Sequence, residues 1–457
     1  MDLVLRGTLC AEGAVIEGGW VAVRDGRIAA FGRNEVPTAR EVRDFGEALI
    51  LPGIVDGQTH ATSYKGLAGM AETTASALAG GVTTIVDMPY DNPLPLDRRE
   101  RLEAKVAAIR EHSHCDVALY GTATAETGTA HLAELIEGGV AAFKISSFEA
   151  NPTRFPRIAA DLTLDLMEAL APTGLPLGLH NEDQEIVRTR LARLKAEGRN
   201  DIAAHSESRP LAAELAATAQ FLALGQATGG HAHIVHLSHG QGFEQVGAFA
   251  AIGASVTGEL CVHYLCFNAE ADGPRLGALM KVNPPIRANA IAGLWGAIRK
   301  GQVAFVSSDH ASWPIDNKLG GSIFEAGAGV PGLETLLPAF FTAAEGQGLE
   351  GALLAADLLA EKPARFFGID DRKGRIASGM DADFAIVERG SFVWKAADAH
   401  DGLNWSPFDG RTFTARVVGT WLRGREAWNG RAVLSRPGEG IFVPRRTRGW
   451  FNDAKEA

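Results

Sequence analysis

The chain has 457 residues, a formal charge of −11 and 46% hydrophobic residues, with only 7% aromatic. That length exceeds one ordinary small domain and suits a single barrel with an appended lobe, its core built of aliphatic side chains and alanine. The acidic balance argues against a nucleic-acid or anionic-membrane partner.

No apolar run approaches the roughly 20 residues that a membrane span needs. The start of the chain lacks a basic segment followed by an apolar stretch. A cytoplasmic protein is therefore expected. The four cysteines, Cys10, Cys115, Cys261 and Cys266, form no C-x-x-C pair and no disulfide framework, so reduced thiols are expected.

Residues 1–50 contain short apolar runs at Leu3-Val4-Leu5, Trp20-Val21-Ala22-Val23 and Ile28-Ala29-Ala30-Phe31. Arg24-Asp25-Gly26-Arg27 separates the second from the third, and Asp-Gly is a hairpin signal because both central residues accept positive φ. From residue 51 the pattern changes. Apolar runs at 54–56, 83–88, 117–120, 141–145, 177–180, 233–237, 254–257 and 303–307 read as strands. Stretches of helical period lie between them, at 98–111, 162–170, 211–224 and 291–300. Eight β–α repeats predict a parallel (β/α)8 barrel over 51–370. An open doubly wound sheet is the alternative, and no Gly-x-Gly-x-x-Gly supports its nucleotide-binding form. β character returns after residue 370. Pairing those strands with the first ones gives a small β-sandwich lobe from 1–50 and 371–445. The charged tail at 446–457 is expected to be loosely held.

Chemistry in such barrels sits at the C-terminal ends of the strands. Those ends carry His60, Lys144, His180, His236 and Asp309. Each alone has a plain alternative: a solvated or structural histidine, a surface lysine, an aspartate capping a helix. Their joint occurrence on one rim points instead to a metal site. Imidazoles with a carboxylate suit Zn²⁺, or Mn²⁺ or Co²⁺.

Asp56-Gly57-Gln58-Thr59-His60, Lys144, His180-Asn181-Glu182, His236-Leu237-Ser238 and Ser308-Asp309-His310-Ala311 together resemble the cyclic-amide branch of the amidohydrolase superfamily. That branch contains dihydroorotases, allantoinases, hydantoinases and dihydropyrimidinases. Glu259-Leu260-Cys261-Val262-His263-Tyr264, Lys281-Val282-Asn283-Pro284-Pro285 and Gly379-Met380-Asp381-Ala382-Asp383 extend the resemblance over nearly the whole chain. It implies the barrel and the lobe, and a small cyclic amide as substrate. It also implies N6-carboxylation of Lys144, whose carbamate bridges two divalent ions. His180 and His236 would hold one ion, and His60 and Asp309 the other. Asp309 would be the general base and then the general acid. Asn283 would bind the ring amide. Relatives are commonly homodimers or homotetramers.

The departures matter as much. Gln58 stands where the family has a further histidine, and its neutral amide is a weak ligand or none. Two ions with one held loosely, one ion, or lost catalysis are the readings it leaves. His60-Ala61-Thr62 lacks the arginine with which dihydroorotases grip a carboxylate. Lys144-Ile145-Ser146-Ser147-Phe148 lacks the tyrosine of hydantoinases, leaving Ser146 or Ser147 to contact substrate. Asp87-Met88-Pro89-Tyr90-Asp91-Asn92 is nearer to the allantoinase side. Arg154 in the 151–157 loop and His263 are further candidate substrate residues, with His239 and His310 near the same rim.

The expected activity is metal-dependent opening of a cyclic amide or ureide ring. A non-catalytic dihydropyrimidinase-like scaffold, and a deaminase or linear-amide hydrolase on the same fold, are the alternatives.

Overall fold

The computed structural model describes residues 1–451. Its first four strands are β1 (Leu3–Ala11), β2 (Ala14–Arg24), β3 (Arg27–Arg33) and β4 (Glu41–Pro52). Asp25 and Gly26 turn the β2–β3 hairpin with φ of 53° and 74°, the geometry that the Asp-Gly signal demands.

The barrel strands follow: β5 (Ile54–His60), β6 (Val82–Asp87), β7 (Asp116–Gly121), β8 (Ala142–Ser146), β9 (Leu177–His180), β10 (Ala232–Ile234) and β11 (Val256–Gly258). They lie side by side in chain order, and the neighbouring pairs are parallel. The circle closes through short pieces. β12 (Leu260–Cys261) pairs with β13 (Val306–Ser307), and β14 (His310–Ala311) pairs with β5. The expected runs at 254–257 and 303–307 thus form shorter ladders than their apolar length suggests. A side chain replaces the missing backbone bonds: Asp56 on β5 accepts from Ser308 N at 2.8 Å and from Ser308 Oγ at 2.6 Å.

β15 (Phe384–Val393), β16 (Thr412–Leu422) and β17 (Arg425–Trp428) join the first four strands in one seven-stranded sheet, ordered β17-β16-β15-β4-β1-β2-β3. Leu5, Val21, Val23, Ile28, Phe384 and Trp421 are among the residues of its core. Both stretches of the chain therefore build the lobe.

Apolar side chains fill the lower end of the barrel. Val55, Val86, Ala118, Phe305, Phe366 and Phe367 cluster there, the last two from and beside the helix Lys362–Phe366. This plug leaves the opposite, C-terminal rim for polar groups. Among the described residues no helix is long and apolar enough to cross a membrane.

The final segment differs from expectation. Instead of belonging to the lobe up to 445 and hanging free from 446, it straps the barrel base. Val117 N donates to Ile441 O at 2.9 Å, and Val443 N to Val117 O at 2.8 Å. Arg445 donates to Ala141 O, and the Phe451 ring meets His231 at 4.5 Å. The reason is burial: Val443 is fully covered, a contribution that outweighs the charge of its neighbours. The rest of the expected tail, 452–457, lies outside the described residues.

Lobe and barrel are pinned by a buried ion cluster. Lys373 Nζ lies 2.5 Å from Asp116, 2.6 Å from Asp383 and 3.0 Å from Asp381, and Arg423 adds a second cation on Asp116. Three buried carboxylates so close could hold a metal ion, but these cations already neutralise them. Lys373→Met would leave buried charge uncompensated, and a loss of about 3–5 kcal/mol is expected. Urea unfolding of the variant checks this, and a loss below about 1 kcal/mol would show that the cluster is no clamp.

Candidate active site

The rim residues read from the sequence meet in one cavity of about 510 Å³, lined among others by Gln58, His60, Lys144, His180, His236 and Asp309. They come from five strands or strand extensions, with Gln58 and His60 sharing β5, as the fold requires of a shared site.

One side is a pair of imidazoles. His180 Nδ1 faces His236 Nε2 at 2.9 Å. The other nitrogen of His180, Nε2, is 2.8 Å from Glu182, and Arg209 forms an ion pair with the same carboxylate oxygen. Burial alone would raise the Glu182 carboxyl, but Arg209 and His180 outweigh it and hold its pKa at about 2. An ionised Glu182 accepts a hydrogen bond from the Nε2–H and leaves Nδ1 as a lone pair aimed at His236. This is how a carboxylate behind a ligating histidine fixes its tautomer. Among the described residues, His236 Nδ1 has no hydrogen-bond partner. Burial, with His180 and Lys144 nearby, pushes His236 well below the ordinary histidine range. Two neutral imidazoles this close have the chemistry to hold one divalent ion between them.

The other side centres on Asp309. Its Oδ1 accepts from Gln58 Nε2 at 2.8 Å and lies 3.3 Å from His60 Nε2. His60 Nδ1 is held by Ser63 Oγ at 3.1 Å. Burial opposes the charge of Asp309, but His60 first, then His236 and Lys144, keep its carboxyl well below the usual range. His236 and Asp309 have φ of 43° and 48°. This left-handed region is uncommon for residues with a Cβ and recurs at functional sites.

Lys144 stands between the two sides, 1% exposed. Its Nζ is 5.7 Å from the centre of the Tyr90 ring, which stacks on Phe155 at 3.8 Å. Burial is the main cause that lowers its pKa, against the pull of Asp309 and Glu259. A buried amine biased toward its neutral form is the nucleophile that addition of CO₂ needs.

Of the other expected residues, Asn283 and Arg154 line the cavity. Among the described residues Asn283 Oδ1 has no hydrogen-bond partner, whereas Arg154 donates to the carbonyls of Ser63 and Tyr90. Ser147 and His263 stand behind the wall. Ser147 Oγ donates to His180 O at 2.9 Å and to Glu182 O at 3.0 Å, and so shapes the strand end that carries His180. His263 is 1% exposed, with its ring against Tyr264. Ser146 caps Phe148 N, His310 Nδ1 accepts from Gly332 N, and His239 caps the helix Gly240–Ala251. Sequence reading assigned no role to Tyr90, Glu182 or Arg209, although Tyr90 and Glu182 lie in motifs quoted above; Phe155 lies in the 151–157 loop it singled out.

A (β/α)8 barrel whose rim gathers three imidazoles, a lysine and an aspartate has the build of a metal-assisted hydrolase. The chain belongs to the amidohydrolase family, whose profile matches residues 49–427. It is 37% identical to an allantoinase of Rubrobacter xylanophilus over 98% of this chain and 99% of that one. It is 30% identical to an L-hydantoinase of Paenarthrobacter aurescens, over 93% and 94%. The solved L-hydantoinase (dihydropyrimidinase) of Arthrobacter aurescens superposes with a TM-score of 0.91 at 28% identity, covering 97% of this chain and 100% of that one. Within the family the chain falls in the cyclic-amide branch and is an enzyme of that branch, and metal dependence is general for the family.

Glu182 makes acid stability a readout of the His180 support. Its pKa is about 2 against an ordinary 4.5. A depressed carboxyl stabilises the fold above the ordinary value, and that stability is lost as the pH falls from about 4.5 through 2. The contribution is about 3 kcal/mol. Glu182→Gln is expected to be less stable by about that amount at pH 7, with the gap to the parent protein closing toward pH 2. A gap that does not change with pH would remove the charge of Glu182 from this role.

Proposed function

We propose that this protein opens the ring of a cyclic ureide of the allantoin or hydantoin type by metal-dependent hydrolysis. The observation that carries the reading is the convergence of His60, Lys144, His180, His236 and Asp309 on a single cavity. Relatives named allantoinase and L-hydantoinase support the substrate class. Zn²⁺ is the ion best suited to the imidazole–carboxylate set, with Mn²⁺ or Co²⁺ as substitutes. A cytoplasmic homodimer or homotetramer is part of the same proposal.

By adding to CO₂ and releasing a proton, the Lys144 amine would become N6-carboxylysine, an anion with two oxygens, and with His180 and His236 it would make the principal ligand set. A divalent ion held there would supply the Lewis acidity that ring hydrolysis needs. Asp309 takes a proton from the attacking water and hands it to the ring nitrogen as the C–N bond breaks. The carbon gains a hydroxyl and the nitrogen a hydrogen, so the ring opens with one water consumed. Asn283 and Arg154 orient the ring from the cavity wall, and Tyr90 with Phe155 gives it an apolar face. Ser147 and His263 act from behind, by holding the strand ends.

Lys144→Ala is expected to abolish ring opening, with partial rescue by added short-chain carboxylic acids. Full activity in that variant would refute the role of Lys144. Asp309→Asn is expected to lower kcat by roughly 10²–10⁴-fold with a much smaller change in KM. Steady-state kinetics on allantoin, hydantoins, dihydrouracil and cyclic imides checks both, and names the substrate.

A further inference from the structure

We infer that this chain holds one tightly bound divalent ion, on the Lys144–His180–His236 side, and that Gln58 turns the His60–Asp309 side into a hydrogen-bonded base. The inference rests on the functional reading above and sharpens it.

The carboxamide of Gln58 is completely buried, with Nε2 2.8 Å from Asp309 Oδ1. The opposite amide orientation would set Oε1 against a carboxylate oxygen, so the charge of Asp309 selects the N–H. In that orientation the amide turns the positive end of its dipole toward Asp309 and offers it no lone pair. The same oxygen also faces His60 Nε2 at 3.3 Å. Two donors thus occupy Oδ1 without a cation. An ion beside Oδ1 would displace the Gln58 hydrogen bond and gain at best a neutral amide oxygen in exchange.

On the other side the contact to displace is between two imidazoles, His180 Nδ1 and His236 Nε2 at 2.9 Å, with no carboxylate in it. Glu182 at 2.8 Å fixes the His180 tautomer, and among the described residues His236 Nδ1 has no hydrogen-bond partner. The two halves of the rim are thus chemically different: one is built to ligate, the other to hold a carboxylate in place for proton transfer. Gln58 is a positioning residue, acting through Asp309.

Metal content tests this without recourse to activity. The purified protein, its Gln58→His variant and its Gln58→Glu variant are dialysed against buffered Zn²⁺ and analysed by mass spectrometry. Metal-stripped samples are titrated calorimetrically. One ion per parent chain and two per chain in either variant are the expected results. Two ions bound tightly by the parent protein would overturn the one-ion inference and leave the hydrolase reading standing. No ion in the parent protein would overturn both. A single ion in both folded variants would show that Gln58 does not decide the count. Should one variant fail to fold, the other and the parent stoichiometry still decide the matter.

Discussion

The rim of this barrel depends on one buried carboxylate, Asp56. It lies on the first barrel strand and binds both the main chain and the hydroxyl of Ser308 beyond the last. Its second oxygen also takes the hydroxyl of Thr59 at 2.5 Å. Regular ladders are sparse at this seam, so the side chain does the work of backbone pairing. Burial pushes its carboxyl up to about 7, and the Ser308 and Thr59 bonds limit that rise. The residues on either side inherit its geometry. Ser308 leads into the left-handed Asp309, and Thr59 leads into His60. Closing the barrel and aiming two of the site's functional groups are therefore one act.

Above that seam the barrel is polar, and below it is apolar. The Phe305–Phe366–Phe367 plug keeps the interior dry, and a dry interior penalises every unpaired charge. This is why Lys144 leans toward its neutral form, and why burial pushes Glu259 up to about 8. Where charge is retained, it is paired or hydrogen-bonded. Glu182 has Arg209, Asp309 has His60 and Gln58, and Glu214 has Arg287 at 2.8 Å.

The barrel and five rim residues were legible because five of the eight apolar runs end at or beside a ligand-type residue, a local pattern with a physical cause. The Arg209–Glu182 pair was not. Its partners sit on different elements, and although Glu182 stands two residues beyond His180, nothing in the sequence ties Arg209 to it. The Tyr90–Phe155 stack unites two loops in the same way. Ser147 and His263 mark a different limit: a residue's place at a strand end tells which end of the barrel it occupies, but not which side of the wall it faces. The two short ladders at the seam were overread because apolar length reports burial, whereas pairing there was handed to Asp56. The strap at the barrel base was hidden by its charged neighbours, although Ile441, Val443 and Phe451 lie within it.

The mixed origin of the lobe has a consequence for how the molecule is made. β4 pairs on one side with β1 and on the other with β15, where Leu51 meets Ala385. The whole barrel lies between those partners in the chain. During synthesis, one edge of β4 must therefore wait unpaired while every βα unit is produced. An open strand edge is a template for wrong pairing, and contacts of such long sequence separation form slowly. The lobe is then the last part of the fold to be completed. It is also the part through which a crowded, partly made chain is most exposed to aggregation.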